Sequence, residues 1–160
     1  MKLNVVLFEP EIPQNTGNIA RTCAAVGAKL HLIRPLGFSL EDKYLKRAGM
    51  DYWKKVDVFC YKNAASFFKA HAGDKCVFIT KKAGKTYESI HVDDNPFLVF
   101  GKETAGVPED ILEKFRDRCF RIPMRRGIRS LNLATAVAVV IYDVLRKKGF
   151  PGLMPVGKTG

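Results

Sequence analysis

Polar side chains are concentrated in three short segments, each of which follows an apolar run. The first, PQNTGNIAR, holds Asn15, Asn18 and Arg21, and the second, GKETAGVP, encloses Glu103 between two glycines. The third, IPMRRGIRSLN, ends in a serine and an asparagine. Amide, carboxylate, hydroxyl and guanidinium groups bind anions and polar ligands well. The three segments therefore predict a binding site, provided that the fold brings them together.

The first segment has the composition of a helix start that binds an anion. We expect Asn15 or Thr16 to cap a helix and Gly17 to allow close approach of the backbone to a ligand. Asn18 and Arg21 are three residues apart, so they share one helix face. A phosphate site is one interpretation. The other, on these residues alone equally supported, is a simple cap with a surface arginine.

The other two segments also leave alternatives open. Glu103 is predicted to belong to a binding loop, because two glycines bracket it, although a solvated acid or a helix cap would fit as well. Ser130 is expected to cap the last helix, with Asn132 in its first turn. Plain capping is the alternative there.

The elements that must position these segments alternate along the chain. The apolar runs are Leu3–Phe8, Leu30–Ile33, Val56–Tyr61, Cys76–Thr80, Phe97–Phe100 and Cys119–Ile122, and the helical segments are Thr16–Val26, Leu40–Arg47, Asn63–Ala70, Pro108–Lys114 and Leu131–Lys147. This order predicts an α/β fold with a mostly parallel sheet flanked by helices. Loops that follow parallel strands meet at the carboxyl edge, where open α/β folds bind ligands.

The length of 160 residues predicts a single domain over 1–160, with a loose tail over 151–160.

The last helix is apolar on so much of its surface that a subunit interface is expected to cover part of it. The tail contains a G-x4-G-K-T match, but no helix can follow it before the chain ends, so we do not expect a phosphate loop.

The net charge of +11 predicts a polyanionic partner. Seven cations and one acid lie between Lys114 and Arg129, and a second basic group comprises Lys43, Lys46, Arg47, Lys54 and Lys55. This clustering favours nucleic acid over the alternative of a solvated surface.

The composition also argues against a membrane protein, a secreted protein and a metal-binding protein. The chain has no apolar run of membrane-spanning length and no secretory pattern, so we expect a cytoplasmic protein without a membrane partner. The four cysteines and three histidines lack ligand spacing. We therefore expect no metal and no disulfide, only buried or half-buried free thiols.

Together the motifs PQNTGNIAR, FGKETAGVP and IPMxxxxRSLNL resemble, in the same order, the three motifs of the SPOUT RNA 2′-O-methyltransferases. The similarity is closest to the minimal TrmL/YibK branch, whose members methylate the wobble nucleotide of tRNA. LHLIRPLGF and the ending YDVLRxxGFPG resemble that branch too. One departure is Ala134-Thr135, where the branch usually has Ser-Asn.

The resemblance implies a C-terminal trefoil knot, a homodimer and S-adenosylmethionine as cofactor. It implies transfer of a methyl group to the ribose 2′-oxygen of cytidine or uridine 34 of tRNA. The implied cofactor residues are Ile79, Thr80, Gly101, Glu103, Ile122, Met124, Ser130 and Leu131. Because the sulfonium is a strong electrophile, the implied reaction needs no metal.

The resemblance assigns Arg21 the central catalytic role, with Asn15, Glu103, Ser130 and Asn132 around it. An arginine stays charged in proteins, so we expect Arg21 to clamp a phosphate rather than to act as a base.

Further RNA contacts are expected from Asn18, Arg125, Arg126 and Arg129. Tyr142 is expected to reach the site of the partner subunit, with a core tyrosine as the alternative. An RNA-binding module without transferase activity, methylation of another tRNA or rRNA site, and base methylation remain open.

Overall fold

The computed structural model describes residues 1–41 and 43–154, with the side chains of 46 and 48–51 outside that description. The chain beyond 154, and with it most of the G-x4-G-K-T match and of the expected loose tail, also lies outside the described residues.

The described strands form one parallel sheet in the order β3-β2-β1-β6-β4-β7-β5. Their bounds are β1 (Asn4–Phe8), β2 (Lys29–Ile33), β3 (Val58–Tyr61), β4 (Cys76–Ile79), β5 (Lys85–Thr86), β6 (Phe97–Phe100) and β7 (Cys119–Arg121). Six of them were predicted. The polar two-residue strand β5 was missed, because it carries no apolar run.

Helices cover both faces of the sheet, as predicted. They are α1 (Pro13–Val26), α2 (Lys43–Trp53), α3 (Ala64–Ala70), α4 (Glu109–Lys114) and α5 (Leu133–Lys147), with short 3-10 helices at Tyr87–Ser89 and Arg116–Arg118. One apolar core lies beneath α1 and α5, and a second lies beneath α3 and α4.

The central strands β1 and β6 are buried along their whole length. This burial explains why β6 is entirely apolar and why β1 is apolar after Asn4. The edge strand β3 is different, since Phe59 and Cys60 are exposed. The expectation of buried or half-buried thiols is therefore wrong for Cys60, although Cys23, Cys76 and Cys119 are buried.

Several predicted helix bounds are wrong, and α1 is the most informative case. It begins at Pro13 instead of Thr16, because proline fits the first helical turn, where its missing N–H is not needed. Its N-cap is Ile12, which makes no side-chain cap bond, so neither Asn15 nor Thr16 is the cap. Helix α2 likewise runs from Lys43 to Trp53, later than predicted.

Strand β7 lies in the sheet between β4 and β5, two strands that precede it in sequence. Strands β4 and β5 are joined by the short connection 80–84, yet β7 lies between them and pairs with both. The connection must therefore cross β7 near Phe120, which is level with both Ile79 and Lys85. Thr80 N–H donates to Phe120 O at 2.8 Å.

A buried histidine lies under the α3 face. His31 is 3% exposed, with Nε2 3.2 Å from Asn4 Oδ1 and Nδ1 2.9 Å from the Tyr61 hydroxyl. That hydroxyl is also 2.9 Å from His71 Nε2. Burial lowers the pKa of His31 to about 4, and the charges of His71 and Lys29 act in the same direction.

We expect acid to destabilise the fold through His31. The unfolded chain binds a proton at this residue near pH 6.5 and the folded chain only near pH 4. The contribution of neutral His31 to the free energy of unfolding is therefore fully present above pH 6.5. It should be lost as the pH falls from 6.5 to 4, by at most about 1.4 kcal/mol per pH unit. Urea unfolding at several pH values across this range measures the free energy of unfolding. Its slope against pH should be smaller for His31→Gln, while the exposed control His91→Gln should match the parent. An unchanged slope in His31→Gln would contradict this assignment.

Candidate functional site

The three polar segments meet at the carboxyl edge of the sheet. There they surround an open cavity of about 350 Å³, whose walls come from the loops after β4, β6 and β7 and from the start of α1. All eight residues predicted to bind the cofactor line it: Ile79, Thr80, Gly101, Glu103, Ile122, Met124, Ser130 and Leu131. Asn15, Asn132 and Arg129 line it too.

Glu103 anchors the start of α1. Its carboxylate accepts hydrogen bonds from Glu11 N–H at 2.8 Å, from Ile12 N–H at 3.1 Å and from Asn15 Nδ2 at 3.1 Å. The free N–H groups and positive dipole at a helix start favour such an anion. Glu103 is thus neither a solvated acid nor a cap of α4, the two alternatives that the sequence left open.

A second helix start joins the same chain of hydrogen bonds. Asn132 is the N-cap of α5, since its Oδ1 accepts from Ala134 N–H at 2.9 Å and Thr135 N–H at 3.3 Å. Its Nδ2 donates to Asn15 Oδ1 at 2.9 Å. The prediction that Ser130 caps this helix is wrong, because α5 begins at Leu133 and leaves Ser130 in the exposed loop.

The loop after β6 makes further bonds to the chain before α1. Glu11 accepts from the backbone N–H and hydroxyl of Thr104 at 2.9 to 3.0 Å, and these bonds lower the pKa of Glu11. Lys102 Nζ lies 3.0 Å from Glu9 Oε2, which raises the pKa of Lys102. Three consecutive residues of this loop, 102–104, are therefore bonded to the segment just before α1.

Gly101 lies where the loop returns on itself. A Cβ at this position would be 2.1 Å from Gly106 C and 2.2 Å from Val107 N, too close for any side chain. Gly106 has a φ of 73°, the left-handed conformation that glycine favours. These two glycines give the loop its tight shape.

Other predicted site residues lie outside the cavity wall. Asn18 and Arg21 are both exposed on α1, and the Arg21 guanidinium carbon lies 5.0 Å from the centre of the Tyr52 ring. Arg125 and Arg126 are exposed in the loop before α5.

Tyr142 lies on α5, nine residues beyond its first residue, or about 14 Å along the axis. It is 47% exposed, so the alternative of a core tyrosine is wrong.

The sequence reading missed Lys81 and Lys82, which also line the cavity. Lys82 pairs with Glu109 at the start of α4. Both lysines lie in the loop after β4. Loops that follow parallel strands form the ligand-binding edge, so this position is the signal that could have identified them.

Among the described residues, no helix is long and apolar enough to span a membrane, and no group of His, Cys, Asp or Glu side chains is arranged to hold a metal ion.

The fold and cavity define an α/β protein with a ligand site at the carboxyl edge of a parallel sheet. Residues 2–142 match the SpoU rRNA methylase family. The chain belongs to this family.

Two relatives cover nearly the whole chain. The tRNA (cytidine(34)-2′-O)-methyltransferase of Saccharophagus degradans is 46% identical over 150 residues, which are 93% of this chain and 97% of the relative. A Geobacillus stearothermophilus protein, provisionally given the same name, is 49% identical over 156 residues, which are 96% of this chain and 99% of the relative.

Solved structures share the fold. One, described as giving structural insights into the 2-OH methylation of C/U34 on tRNA, has a TM-score of 0.89 and 43% identity, covering 92% of this chain and 97% of its own. An AdoMet-bound rRNA methyltransferase from Sinorhizobium meliloti has a TM-score of 0.82 and 26% identity, covering 91% of this chain and 56% of its own.

Loss of the Glu103 carboxylate should destabilise the fold. Glu103→Ala leaves three donors before and within α1 without their acceptor, so we expect the free energy of unfolding to fall by about 1–3 kcal/mol. Urea denaturation measures the change. Glu113→Ala, on the exposed side of α4, is the matched control and should stay close to the parent. Equal stability of the two variants would contradict the anchoring role.

The loop crossing at Gly101 should tolerate no side chain. We expect Gly101→Ala to lower the free energy of unfolding by about 3 kcal/mol or more, since the added carbon overlaps backbone that cannot move aside. Gly84→Ala should change it by less than about 0.5 kcal/mol, because its Cβ would meet nothing within 4 Å. Thermal denaturation of both variants checks this, and similar melting temperatures would refute it.

Proposed function

We propose that the protein transfers a methyl group from S-adenosylmethionine to the ribose 2′-oxygen of cytidine or uridine 34 of tRNA. The observation that carries the proposal is the cavity at the carboxyl edge, lined by all eight expected cofactor residues. Family membership and the names of relatives at 46–49% identity support the reaction and the substrate.

The residues of the cavity fit the cofactor. Ile79, Ile122 and Leu131 supply apolar walls suited to an adenine ring, and Met124 lies beside them. The volume of about 350 Å³ falls in the usual range for small-molecule sites, about 300–1,000 Å³. When bound there, the cofactor supplies an electrophilic methyl group.

The side chains of this protein orient the acceptor. The Glu103–Asn15–Asn132 chain fixes the start of α1 and so the direction in which that helix carries Arg21. Both Glu103 oxygens already accept bonds from protein donors, so we assign Glu103 to positioning. Arg21 binds the phosphate next to the reacting ribose, and its charge favours ionisation of the 2′-hydroxyl.

The trefoil knot, the homodimer and the cytoplasmic location remain proposals as well. The position of β7 between β4 and β5 supports a threaded chain, because a five-residue connection must cross it. The half-exposed Tyr142 and Ile12 support a second copy packed near α5 and α1, with Tyr142 reaching the site of that copy.

The reaction is tested by incubating the protein with methyl-labelled S-adenosylmethionine and tRNA from a strain that lacks the enzyme. Digestion and mass analysis should give labelled 2′-O-methylcytidine or 2′-O-methyluridine. A labelled base would overturn the ribose mechanism, and label only in rRNA would overturn the substrate. Absence of cofactor binding in calorimetry would favour an RNA-binding module.

Arg21 variants test the clamp. Arg21→Ala should lower kcat/KM by at least a hundredfold, about 2.7 kcal/mol, because the phosphate and developing charge lose their partner. Arg21→Lys keeps the charge and should retain part of the rate with an unchanged pH profile.

A base with the lower pKa of lysine would instead move the rising limb of the profile to lower pH. That shift would contradict the clamp. Lys69→Ala on α3 is the control.

A further inference from the structure

The exposed side of α2 carries cations and tyrosines together. Lys43 and Arg47 are four residues apart on α2, so they share one face, and both are exposed. Lys54 and Lys55, also exposed, lie in the turn that follows the last residue of the helix. Tyr44 is 43% exposed, and Lys43 Nζ lies 5.0 Å from the centre of its ring. We call this set of residues the α2 surface.

The α2 surface is continuous with the proposed phosphate clamp. Arg21 on α1 lies over the Tyr52 ring at 5.0 Å, and Lys55 Nζ lies 5.8 Å from the centre of the same ring. Helices α1 and α2 pack directly against each other. Tyr52 thus connects the clamp with the cations of α2, and its ring helps to hold the Arg21 guanidinium in place.

The α2 surface and the cavity belong to one side of the molecule. Both α1 and α2 connect parallel neighbouring strands, so both begin at the carboxyl edge, where the cavity opens. Lys43 and Tyr44 therefore lie at the cavity end of α2. Tyr52, with Arg21 over its ring, lies at the far end, followed by Lys54 and Lys55. An RNA strand with one ribose at the cavity can continue along this face.

We propose that the α2 surface binds the unpaired nucleotides that flank the reacting one in an RNA loop. The cations bind successive phosphates and Tyr44 stacks against a base, the combination by which proteins hold single-stranded RNA. The assignment rests on the proposed function, because it takes Arg21 to bind the phosphate next to the reacting ribose. The cation-rich loop before α5 then serves the other side of the cavity.

Fluorescence anisotropy with a labelled 17-nucleotide tRNA anticodon stem-loop tests the binding. Lys43→Gln with Arg47→Gln should weaken binding about tenfold at low salt and reduce the slope of log affinity against log salt by about 1.4, the value for two single-strand phosphate contacts. Lys69→Gln with Lys62→Gln removes two exposed cations elsewhere and should leave both quantities near those of the parent.

Tyr44 variants test the stacking. Tyr44→Ala should weaken binding about five- to a hundredfold, whereas Tyr44→Phe, which keeps the ring, should bind like the parent. S-adenosylmethionine affinity, measured by calorimetry, should be the same in all variants and shows that each is folded.

Wild-type RNA affinity in the α2 variants would overturn the proposal, and so would equal competition by duplex RNA of the same length. Failure of the proposed function is a separate result. It would appear as absence of methyl transfer by the unmodified protein, whatever the α2 variants do.

Discussion

The carboxylate of Glu103 is the interaction on which the site depends. It accepts three hydrogen bonds from the chain around the start of α1, and through Asn15 and Asn132 the same chain of bonds reaches the start of α5. Asn132 must present its oxygen to the α5 backbone, so its nitrogen faces Asn15, whose own nitrogen then faces Glu103. One charged group thereby fixes two helices and the loop between β6 and α4, and every amide in the series has a single satisfactory orientation.

This arrangement explains why the cavity has both apolar walls and a polar rim. Two of its apolar residues, Ile79 and Ile122, lie at the ends of strands, where the core continues to the edge of the sheet, and Leu131 comes from the loop before α5. Its polar rim comes from groups whose hydrogen bonds are mostly used within the protein. Arg129 and Ser130 remain exposed at the opening, and Arg21 lies farther along α1. A bound ligand therefore meets apolar walls together with cations such as Lys81 and Arg129, while Arg21 lies outside the cavity wall.

Much of this could be predicted from the sequence, and the failures have physical reasons. Buried parallel strands leave unbroken apolar runs, so β1 and β6 were found, whereas Lys85–Thr86 has no such run and pairs only because β7 lies beside it. Ser130 and Asn132 are both residue types that favour an N-cap. The cap is Asn132, whose side chain also bonds to Asn15, 117 residues away in sequence. The grouping of the eight cavity residues followed from the motif resemblance, while the partners of Glu103 did not, since they are 88 to 92 residues distant.

The strand order has a consequence for synthesis on the ribosome. Strand β7 fills the gap between β4 and β5, and Asn132 supplies the last amide of the series that begins at Glu103. The strands and helix β1, α1 and β2 can form early, but the start of α1 has no complete set of partners until Asn132 has emerged. A product that stops before β7 therefore lacks the strand that joins β5 to the sheet and the part of the cavity wall that follows β7. The protein completes its binding site only after the start of α5 has been synthesised.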